Sequence, residues 1–560
     1  MKITLAQQNY HIGNLDLNTS KIIDVIHAAQ QQGVDLVVFS ELSICGYPPR
    51  DLLYFNGFID QCNESIERIR LASKGIAVLI GSPRRNTDSP GKALFNSVFF
   101  IEDQAIKTII DKTCLPTYDV FDEDRYFESA HQWNIVRCKG RKIAVTICED
   151  IWNMGNHPLY NYCPMDKLMS EEPDLMINLS ASPFDYTHDE DRLSIVKANA
   201  LKYKLPVFYC NTVGSQTEIV FDGTSMVMDA NGNLKGKLKS FEEDIQSFTI
   251  EFDGQIHTES LMLASMIPDQ LCNPEIFIPD FNIESVYKAI ITGIQDYFFK
   301  MGFQKAILGS SGGIDSAVTL ALAVKALGKE NVIAVLMPSA YSSEHSITDA
   351  VQLSKHLNNP YHTIRLNAIY DSFLKELSPI FNDLPFGLAE ENLQSRTRGN
   401  LLMSIANKFG YILLNTSNKS ELATGYGTLY GDMAGGISVL GDCYKTQVYE
   451  LAKYINRNEE IIPHSIINKE PSAELRPNQK DIDSLPEYSL LDSILYQFIE
   501  QSKGPAEIEL LGYDSQLVNR IIKMVNINEY KRNQFCPIIR VSPKAFGVGR
   551  RMPIVGKFQF

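Results

Sequence analysis

The sequence predicts an α/β protein of two domains, a layered sandwich with mixed sheets followed by a doubly wound parallel sheet. Short apolar segments alternate with amphipathic helical segments along both halves of the 560-residue chain. This alternation fades between residues 256 and 283, where Pro268, Pro274 and Pro279 interrupt it. We therefore expect one domain at residues 1–255, a linker at 256–283 and a second domain at 284–560.

The first half reads as short strands, and the later ones look antiparallel, which favours mixed sheets over a purely parallel one. Apolar residues at helical spacing from Ile22 to Ala29 predict a helix that stops at Gly33. The predicted strands are Ile3–Ala6, Leu36–Phe39, Ile76–Ile80, Ser97–Ile101, Ile143–Ile147, Leu175–Asn178, Pro206–Cys210 and Ser225–Asp229.

The second half begins with an amphipathic helix from Val286 to Phe298. A strand at Ala306–Leu308 then passes through a Gly/Ser turn into a helix that ends at Gly328. Further strands alternate with helices, as in a doubly wound parallel sheet. These strands are predicted at Val332–Met337, His362–Leu366 and Ile412–Asn415.

Composition narrows the class of protein. The net charge of -15 disfavours a broad nucleic-acid-binding surface. The ten cysteines are scattered without a C-x-x-C pair, which indicates neither a zinc site nor a disulfide framework. Free thiols fit a reducing cytoplasm. Met1 opens directly into a strand-like run, and no apolar run is long enough for a membrane span. We expect a cytoplasmic protein without nucleic-acid or membrane partners.

The turn after the strand at Ala306–Leu308 carries the strongest chemical signal. Its glycines let backbone N–H groups crowd an anion at a helix N-terminus, and its serines add donors. Asp315 could contact a magnesium ion that bridges phosphates. The pattern S-G-G-x-D-S lacks the Gly-Lys-Ser of a P-loop and resembles the pyrophosphate loop of the ATP pyrophosphatases, which adenylylate a substrate. That resemblance implies an ATP site at Gly309, Ser310, Ser311, Gly312, Gly313, Ile314, Asp315 and Ser316.

Three reactive side chains each follow a strand-like stretch of the first half. Glu41 follows Val37-Val38-Phe39-Ser40, Lys112 follows Lys107-Thr108-Ile109-Ile110-Asp111, and Cys148 follows Val145-Thr146-Ile147. Together they suit amide cleavage, because a thiol can attack, a carboxylate can carry the proton and an ammonium can stabilise the oxyanion. Each residue alone is weak evidence, and an isolated Cys148 would read as a small buried hydrophobic residue.

The surroundings of these residues favour the catalytic interpretation. Three stretches resemble, in order and spacing, the signatures of the nitrilase (carbon–nitrogen hydrolase) family: Phe39-Ser-Glu41-Leu-x-x-Cys-Gly-Tyr47, Lys112-x-x-Leu-Pro-x-Tyr118-x-x-Phe-Asp-Glu123-x-Arg125-x-Phe127 and Ile147-Cys148-Glu149-Asp150-x-Trp152. The resemblance implies an αββα sandwich whose Glu-Lys-Cys triad cleaves amides through a thioester.

Two further points in the first half concern single residues. Resemblance implies glutamine-binding positions at Tyr118, Ser182 and His188, although relatives often carry a basic residue where His188 stands. Glu123 either orients Lys112 or is a solvated loop acid.

A nitrilase-like half followed by the polar motifs of the second half resembles the glutamine-dependent NAD synthetases over nearly the whole chain. Those motifs include Glu391-Asn392-Leu393-Gln394, Asn415-Thr416-Ser417-Asn418-Lys419-Ser420-Glu421, Tyr430-Gly431-Asp432, Lys445-Thr446-x-Val448-Tyr449, Pro471-Ser472-Ala473-Glu474-Leu475-Arg476-Pro477 and Glu529-Tyr530-Lys531-Arg532.

That second resemblance implies a glutamine-hydrolysing enzyme with ATP, Mg²⁺, deamido-NAD and L-glutamine as ligands, and a homo-oligomer, dimeric or larger. It places Thr416 and Lys445 on ATP, and Asp315 and Glu421 at the metal. The positions it implies for deamido-NAD are Asn392, Glu421, Tyr426, Asp432 and Lys531.

The residues themselves leave some alternatives open. Arg396 and Arg398 could clamp a phosphate or carboxylate, or could pair with acids on a helix surface. Thr416 could instead be a helix N-cap, and Pro471 to Pro477 suggest a lid. Two rival functions also remain. One is an amidase joined to a domain that adenylylates another carboxylate or a tRNA base. The other is an N-terminal half that serves only for oligomerisation.

Overall fold

A computed structural model describes residues 1–87, 90–154, 159–258, 282–382, 384–476, 479–483 and 485–556. The chain divides into two compact units, residues 1–270 and 271–560. Most of the predicted linker lies outside the described residues. Its first residues, Ile256–Thr258, form a strand of the first unit, and Ile283 begins a helix of the second. None of the helices in the described part of the chain has the length and apolar character that crossing a bilayer requires.

The first unit contains two large mixed sheets, so the predicted layered sandwich is confirmed. Its strands are β1 (Lys2–Gln7), β2 (Leu36–Val38), β3 (Ala77–Arg85), β4 (Leu94–Glu102), β5 (Ala105–Asp111), β6 (Val136–Cys138), β7 (Arg141–Ile147), β8 (Leu175–Ser180), β9 (Val207–Asn211), β10 (Val213–Gln216), β11 (Ile219–Asp222), β12 (Met226–Met228), β13 (Leu234–Lys237), β14 (Asp244–Ile250) and β15 (Ile256–Thr258). Its helices are α1 (Leu15–Gln31), α2 (Asn56–Ala72), α3 (Pro164–Leu168) and α4 (His188–Tyr203).

Strand order explains how the layers form. One sheet runs β15-β14-β1-β2-β3-β4-β5 and the other β13-β12-β9-β8-β7-β6, while β10 and β11 pair separately. β1, β2 and β3 are parallel to one another, whereas β14 is antiparallel to β1. Alternate residues of β1 face opposite layers: Leu5 packs with residues of both large sheets, and Ala6 packs with α1 and α2. The helices α3 and α4 cover the second sheet, which gives four layers.

The second unit has the predicted doubly wound parallel sheet. Its strands are β16 (Ala306–Gly309), β17 (Val332–Leu336), β18 (Tyr361–Thr363), β19 (Ile412–Asn415) and β20 (Ile437–Ser438), in the order β18-β17-β16-β19-β20. Its helices are α5 (Ile283–Met301), α6 (Ile314–Leu327), α7 (Glu344–Leu357), α8 (Asn367–Phe381), α9 (Leu388–Phe409), α10 (Lys419–Thr424), α11 (Lys445–Ile455), α12 (His464–Asn468), α13 (Tyr488–Ile499), α14 (Pro505–Glu509), α15 (Ser515–Ile527) and α16 (Glu529–Arg532).

The direction of winding reverses at β16, which pairs with β17 on one side and β19 on the other. Such a switch point opens a crevice at the carboxyl ends of the strands, where ligands bind in sheets of this kind. The predicted strand at His362–Leu366 was placed too late: β18 ends at Thr363 because Leu366 already has helical backbone angles ahead of α8.

Lys419, the first residue of α10, is a fully buried cation in the second unit. Its ammonium lies 2.7 Å from Glu500 Oε1, 3.0 Å from Asp442 Oδ1 and 2.7 Å from Ser542 Oγ. These contacts join α10 to the end of α13 and to the C-terminal segment. Since a buried charge is stable only when it is paired, we expect this cluster to hold the three segments together.

Replacing Lys419 with Met should therefore destabilise the second unit, because two carboxylates would stay buried without their cation. We expect the free energy of unfolding to fall by about 3–5 kcal/mol, measured by denaturant titration. The control is Lys453→Met, which removes an exposed lysine paired with Glu450 and should change stability little. Equal stability of the two variants would contradict the assigned role of Lys419.

Candidate active sites

The three reactive residues of the first unit lie at the ends of its strands. Lys112 directly follows β5, Cys148 directly follows β7, and Glu41 lies in the turn after β2. The Lys112 ammonium donates to Glu41 Oε1 at 2.7 Å, and both groups are buried. The charges of both residues also act on the Cys148 thiol. The structure thus brings the predicted triad together.

Asp150 fixes the backbone around this triad. Cys148 has a φ of +42° and begins a short 3₁₀ turn that ends at Ile151. One oxygen of Asp150 accepts from the backbone N–H of Ile147 at 3.0 Å. The other accepts from the N–H groups of Thr113 at 3.1 Å and Cys114 at 2.8 Å. A single carboxylate therefore ties the segment after Lys112 to the turn that carries the thiol.

Glu123 is a buried partner of Lys112 and not a solvated loop acid. Its Oε1 accepts from Lys112 Nζ at 2.8 Å and from the Tyr47 hydroxyl at 2.8 Å. Asn96 on β4 donates one amide to both acids, at 2.7 Å to Glu41 and at 3.3 Å to Glu123. The two carboxylates, the ammonium and the amide form one network that holds Glu41 in place.

Burial sets the protonation of these groups. It raises the pKa of Glu123 to about 7. It also raises the pKa of the Cys148 thiol well above its usual value, and Glu41 adds to the rise. Burial disfavours the charged form of Lys112, but Glu123 and Glu41 outweigh it, so the pKa of Lys112 rises. The raised pKa favours the protonated thiol of Cys148, so the sulfur needs a base before it can attack.

Two of the three residues predicted to bind glutamine, Tyr118 and Ser182, lie next to this network. The Tyr118 hydroxyl donates to Glu149 Oε2 at 2.9 Å, next in sequence to the thiol, and Tyr160 donates to the other oxygen at 3.2 Å. Ser182 is buried and follows Ala181, whose N–H donates to Glu41 Oε2 at 3.0 Å. His188 begins α4, and its side chain is outside the described part of the structure.

A cavity of about 290 Å³ opens in the second unit at the carboxyl ends of β16, β17 and β19. Most of the predicted nucleotide-binding residues line it, which agrees with the switch point of the sheet. They are Gly309, Ser310, Ser311, Gly313, Ile314, Asp315, Ser316, Thr416, Glu421, Tyr426, Asp432 and Lys445.

Gly312 shapes the loop without lining the cavity. Its φ is +77°, and a Cβ there would lie 2.3 Å from the carbonyl oxygen of Ser346. The loop therefore lies directly against the first turn of α7. Ser316 closes the turn from the other side by donating to Gly313 O at 3.0 Å. Any larger residue at position 312 would push the loop away from α7.

Two acids and a lysine form the charged floor of this cavity. Lys445 Nζ lies 2.5 Å from Asp315 Oδ2 and 3.8 Å from Glu421 Oε1. Asn418 donates to Asp315 Oδ1 at 2.9 Å, and its own oxygen accepts from the Glu421 N–H at 2.9 Å. Burial and the neighbouring Asp315 raise the pKa of Glu421. Burial disfavours the charged form of Lys445, but Asp315 and Glu421 outweigh it and raise its pKa.

Two carboxylates suit a magnesium ion that takes its other ligands from phosphates and water. No group of three or more His, Cys, Asp or Glu side chains among the described residues is arranged to hold a metal ion. Asp315 and Glu421 provide two such carboxylates in the lining of the cavity.

The residues predicted for deamido-NAD fall into two groups. Glu421, Tyr426 and Asp432 line the cavity, and Tyr426 donates to Asp481 Oδ1 at 3.1 Å. Asn392 and Lys531 do not line it. Asn392 accepts from the Thr428 hydroxyl at 2.8 Å.

Lys531 acts on the same loop as Asn392. Its ammonium donates to the carbonyls of Gly425 at 2.8 Å and Gly427 at 2.9 Å. Lys531 and Asn392 therefore hold the loop that carries Tyr426 and Asp432.

The structure distinguishes Arg396 from Arg398, two candidates for anion binding between which the sequence could not decide. Arg396 is exposed and donates to Leu429 O at 3.2 Å. Arg398 lines the cavity, donates to Met337 O at 3.2 Å, and has its pKa lowered to about 10 by burial. Arg398 is therefore the one that can reach a bound anion.

Sequence reasoning missed Asn96, Tyr160, Lys469 and Asp481. The last two line the cavity of the second unit. None of the four belongs to the sequence motifs described above. They can be recognised as site residues only once the fold shows which segments of the chain meet.

Comparison with known proteins assigns both halves. The sequence model of the carbon-nitrogen hydrolase family matches residues 2–255, and that of NAD synthase matches residues 286–535. The glutamine-dependent NAD(+) synthetase of Synechocystis is 44% identical, over 99% of each chain. That of Thermotoga maritima is 39% identical, over 100% of this chain and 99% of the other.

Solved structures agree. The glutamine-dependent NAD+ synthetase from Acinetobacter baumannii, in complex with ADP, is 37% identical, covers 99% of this chain and 98% of its own, and has a TM-score of 0.77. A synthetase from Cytophaga hutchinsonii shares the fold, with a TM-score of 0.81 at 19% identity and coverage of 99% of this chain and 98% of its own. The full-length matches show that the chain belongs to the glutamine-dependent NAD(+) synthetase family.

Proposed function

We propose that this chain makes NAD from deamido-NAD, ATP and glutamine. The proposal depends on one observation: the chain contains two different sites. The first is the Glu41–Lys112–Cys148 cluster, and the second is a cavity suited to phosphates, with Asp315 and Lys445 in its lining. The first unit releases ammonia from glutamine. The second unit joins the nicotinate carboxylate to AMP, and ammonia then displaces AMP to give the carboxamide of NAD.

In the first unit, Glu41 takes the proton of the Cys148 thiol as the sulfur attacks the side-chain amide of glutamine. Lys112 stabilises the oxyanion, since it remains charged although buried. The C–N bond breaks, and Glu41 returns the proton to the leaving ammonia. Water, deprotonated by Glu41, then hydrolyses the thioester to glutamate and restores the thiol.

In the second unit, a carboxylate oxygen of deamido-NAD attacks the α-phosphorus of ATP and pyrophosphate leaves. The loop from Gly309 to Ser316 and Lys445 hold the phosphates through N–H, hydroxyl and ammonium donors. Mg²⁺ bound with ATP would be held by Asp315 and Glu421 and would neutralise phosphate charge. Ammonia then attacks the acyl carbon, which breaks its bond to AMP.

The remaining assignments belong to the same proposal. Tyr118, Ser182 and His188 bind glutamine, and Thr416 contacts ATP. Tyr426 and Asp432 contact deamido-NAD, supported by Asn392 and Lys531. The enzyme works in the cytoplasm as a homo-oligomer, dimeric or larger.

Replacing Cys148 with Ala should lower the rate of NAD formation with glutamine by about a thousandfold or more, because the nucleophile is lost. The rate with ammonium chloride should stay the same. NAD is measured with deamido-NAD, Mg²⁺ and ATP in both cases. Cys138→Ala, which removes a buried cysteine of β6, is the matched control and should support both reactions. Unchanged glutamine-supported turnover in Cys148→Ala would favour a purely oligomerising N-terminal half.

Replacing Asn96 with Ala should slow the glutamine-supported reaction by about 10- to 100-fold, because Glu41 loses the amide that holds it. The reaction with ammonium chloride should not change, which separates positioning of Glu41 from general damage. Asn86→Ala removes an asparagine that bonds Lys92 O and serves as the control. Equal loss with both nitrogen sources would refute a positioning role for Asn96.

Replacing Asp315 with Asn should lower ATP–pyrophosphate exchange by about 10²- to 10³-fold, because Lys445 and the metal lose a shared carboxylate. Asp371→Asn on the exposed surface of α8 is the control. In wild-type protein the exchange should depend on deamido-NAD. Exchange that requires another carboxylate or a tRNA would instead support the rival function.

A further inference from the structure

The Glu474 carboxylate lies at the N-terminus of α7, among donors that also suit phosphate. Its Oε1 accepts from Ser346 Oγ at 2.7 Å, Lys469 Nζ at 2.8 Å and Ser343 Oγ at 3.1 Å. Its Oε2 accepts from the Ser343 N–H at 3.3 Å. These donors are an ammonium, two hydroxyls and a backbone N–H at the start of a helix, and together they can bind an anion. In this structure the anion that they bind is the Glu474 carboxylate.

This arrangement opens onto the nucleotide cavity. Ser346, Lys469 and Glu474 line the same space as the pyrophosphate loop. The loop touches α7, since a Cβ on Gly312 would lie 2.3 Å from Ser346 O. Ser310 lines the cavity and is 4% exposed. Its buried hydroxyl has no hydrogen-bond partner among the described residues. A buried donor left unpaired in this cavity indicates a polar ligand there.

Glu474 is an anion held by these donors. Burial disfavours its charge, but hydrogen bonds from Lys469 and Ser346 outweigh it and lower the pKa of Glu474. Its φ of +49° is a left-handed conformation that residues other than glycine seldom adopt. Leu475, the next residue, is held by a different hydrogen bond, because its carbonyl oxygen accepts from the Gln394 side-chain amide at 2.9 Å.

We infer that Ser343, Ser346 and Lys469 form a phosphate subsite beside the pyrophosphate loop, which the Glu474 carboxylate fills until a nucleotide or pyrophosphate displaces it. The inference rests on the proposed function only in taking ATP as a ligand of this cavity. Two anions cannot share these donors, so binding of the phosphate expels Glu474 and shifts the segment from Pro471 to Leu475. When pyrophosphate leaves, Glu474 returns to the subsite.

The test measures binding of inorganic pyrophosphate with Mg²⁺ to the full chain by isothermal titration calorimetry. Glu474→Gln should bind pyrophosphate about tenfold tighter than wild type, because the competing charge is gone while the side-chain size is kept. Glu470→Gln is the matched control. It removes one carboxylate from the same cavity wall, where Glu470 pairs with Lys480, and should shift the dissociation constant by less than about twofold.

Lys469→Met tests the donors independently and should weaken pyrophosphate binding about tenfold, because an ammonium contact is lost. Binding to Glu474→Gln that equals or falls below wild type would overturn the inference, because a purely structural brace predicts that result. Unchanged binding in Lys469→Met, or no pyrophosphate binding by any variant, would also overturn it. Circular dichroism checks that each variant is folded.

These measurements need neither deamido-NAD nor glutamine. Tighter pyrophosphate binding by Glu474→Gln in a protein that forms no NAD would leave the subsite standing and reject the proposed function. If the wild type forms NAD but Glu474→Gln does not change pyrophosphate binding, the proposed function stands and the subsite is rejected.

Discussion

Both sites depend on a buried ammonium group whose charge neighbouring carboxylates must compensate. Removing such a group from water costs several kcal/mol unless carboxylates compensate for it. Three lysines among the described residues are buried, and each lies between two acids. Lys112 lies between Glu41 and Glu123, Lys445 between Asp315 and Glu421, and Lys419 between Asp442 and Glu500.

The same pairing has different chemical consequences at the two sites. In the first unit the acids keep Lys112 charged, while burial keeps the Cys148 thiol neutral. In the mechanism that we propose, the thiol becomes a nucleophile when Glu41 takes its proton. In the second unit Lys445 and two acids meet where phosphates would bind. The Lys445 ammonium is then already in place to donate to a phosphate before the substrate arrives.

Strand patterning and local motifs were enough to predict both fold classes and the main chemical groups. Glu41, Lys112 and Cys148 could be found because each follows a strand-like stretch, and strand ends converge in α/β folds. Each residue also stands in a stretch that resembles a nitrilase-family signature. The strand near His362 was placed too late, since the pattern does not show that Leu366 already turns toward a helix.

Several contacts that place the site residues were beyond sequence reasoning. Asn96 lies within a strand and resembles any other polar strand residue until β4 is placed beside Glu41 and Glu123. Arg396 and Arg398 are two residues apart on one helix, and only the packing of α9 shows which one lines the cavity. The contact between Glu474 and Ser346 joins segments 128 residues apart. Such contacts follow from tertiary packing, which no local pattern encodes.

The central claim is that one chain carries nitrogen from glutamine into NAD. The most direct measurement supplies glutamine labelled with heavy nitrogen at its side-chain amide, together with deamido-NAD, Mg²⁺ and ATP. Mass spectrometry then locates the label. The account predicts heavy nitrogen in the carboxamide of NAD, with one glutamate formed for each NAD. Labelled ammonia released without labelled NAD would contradict it.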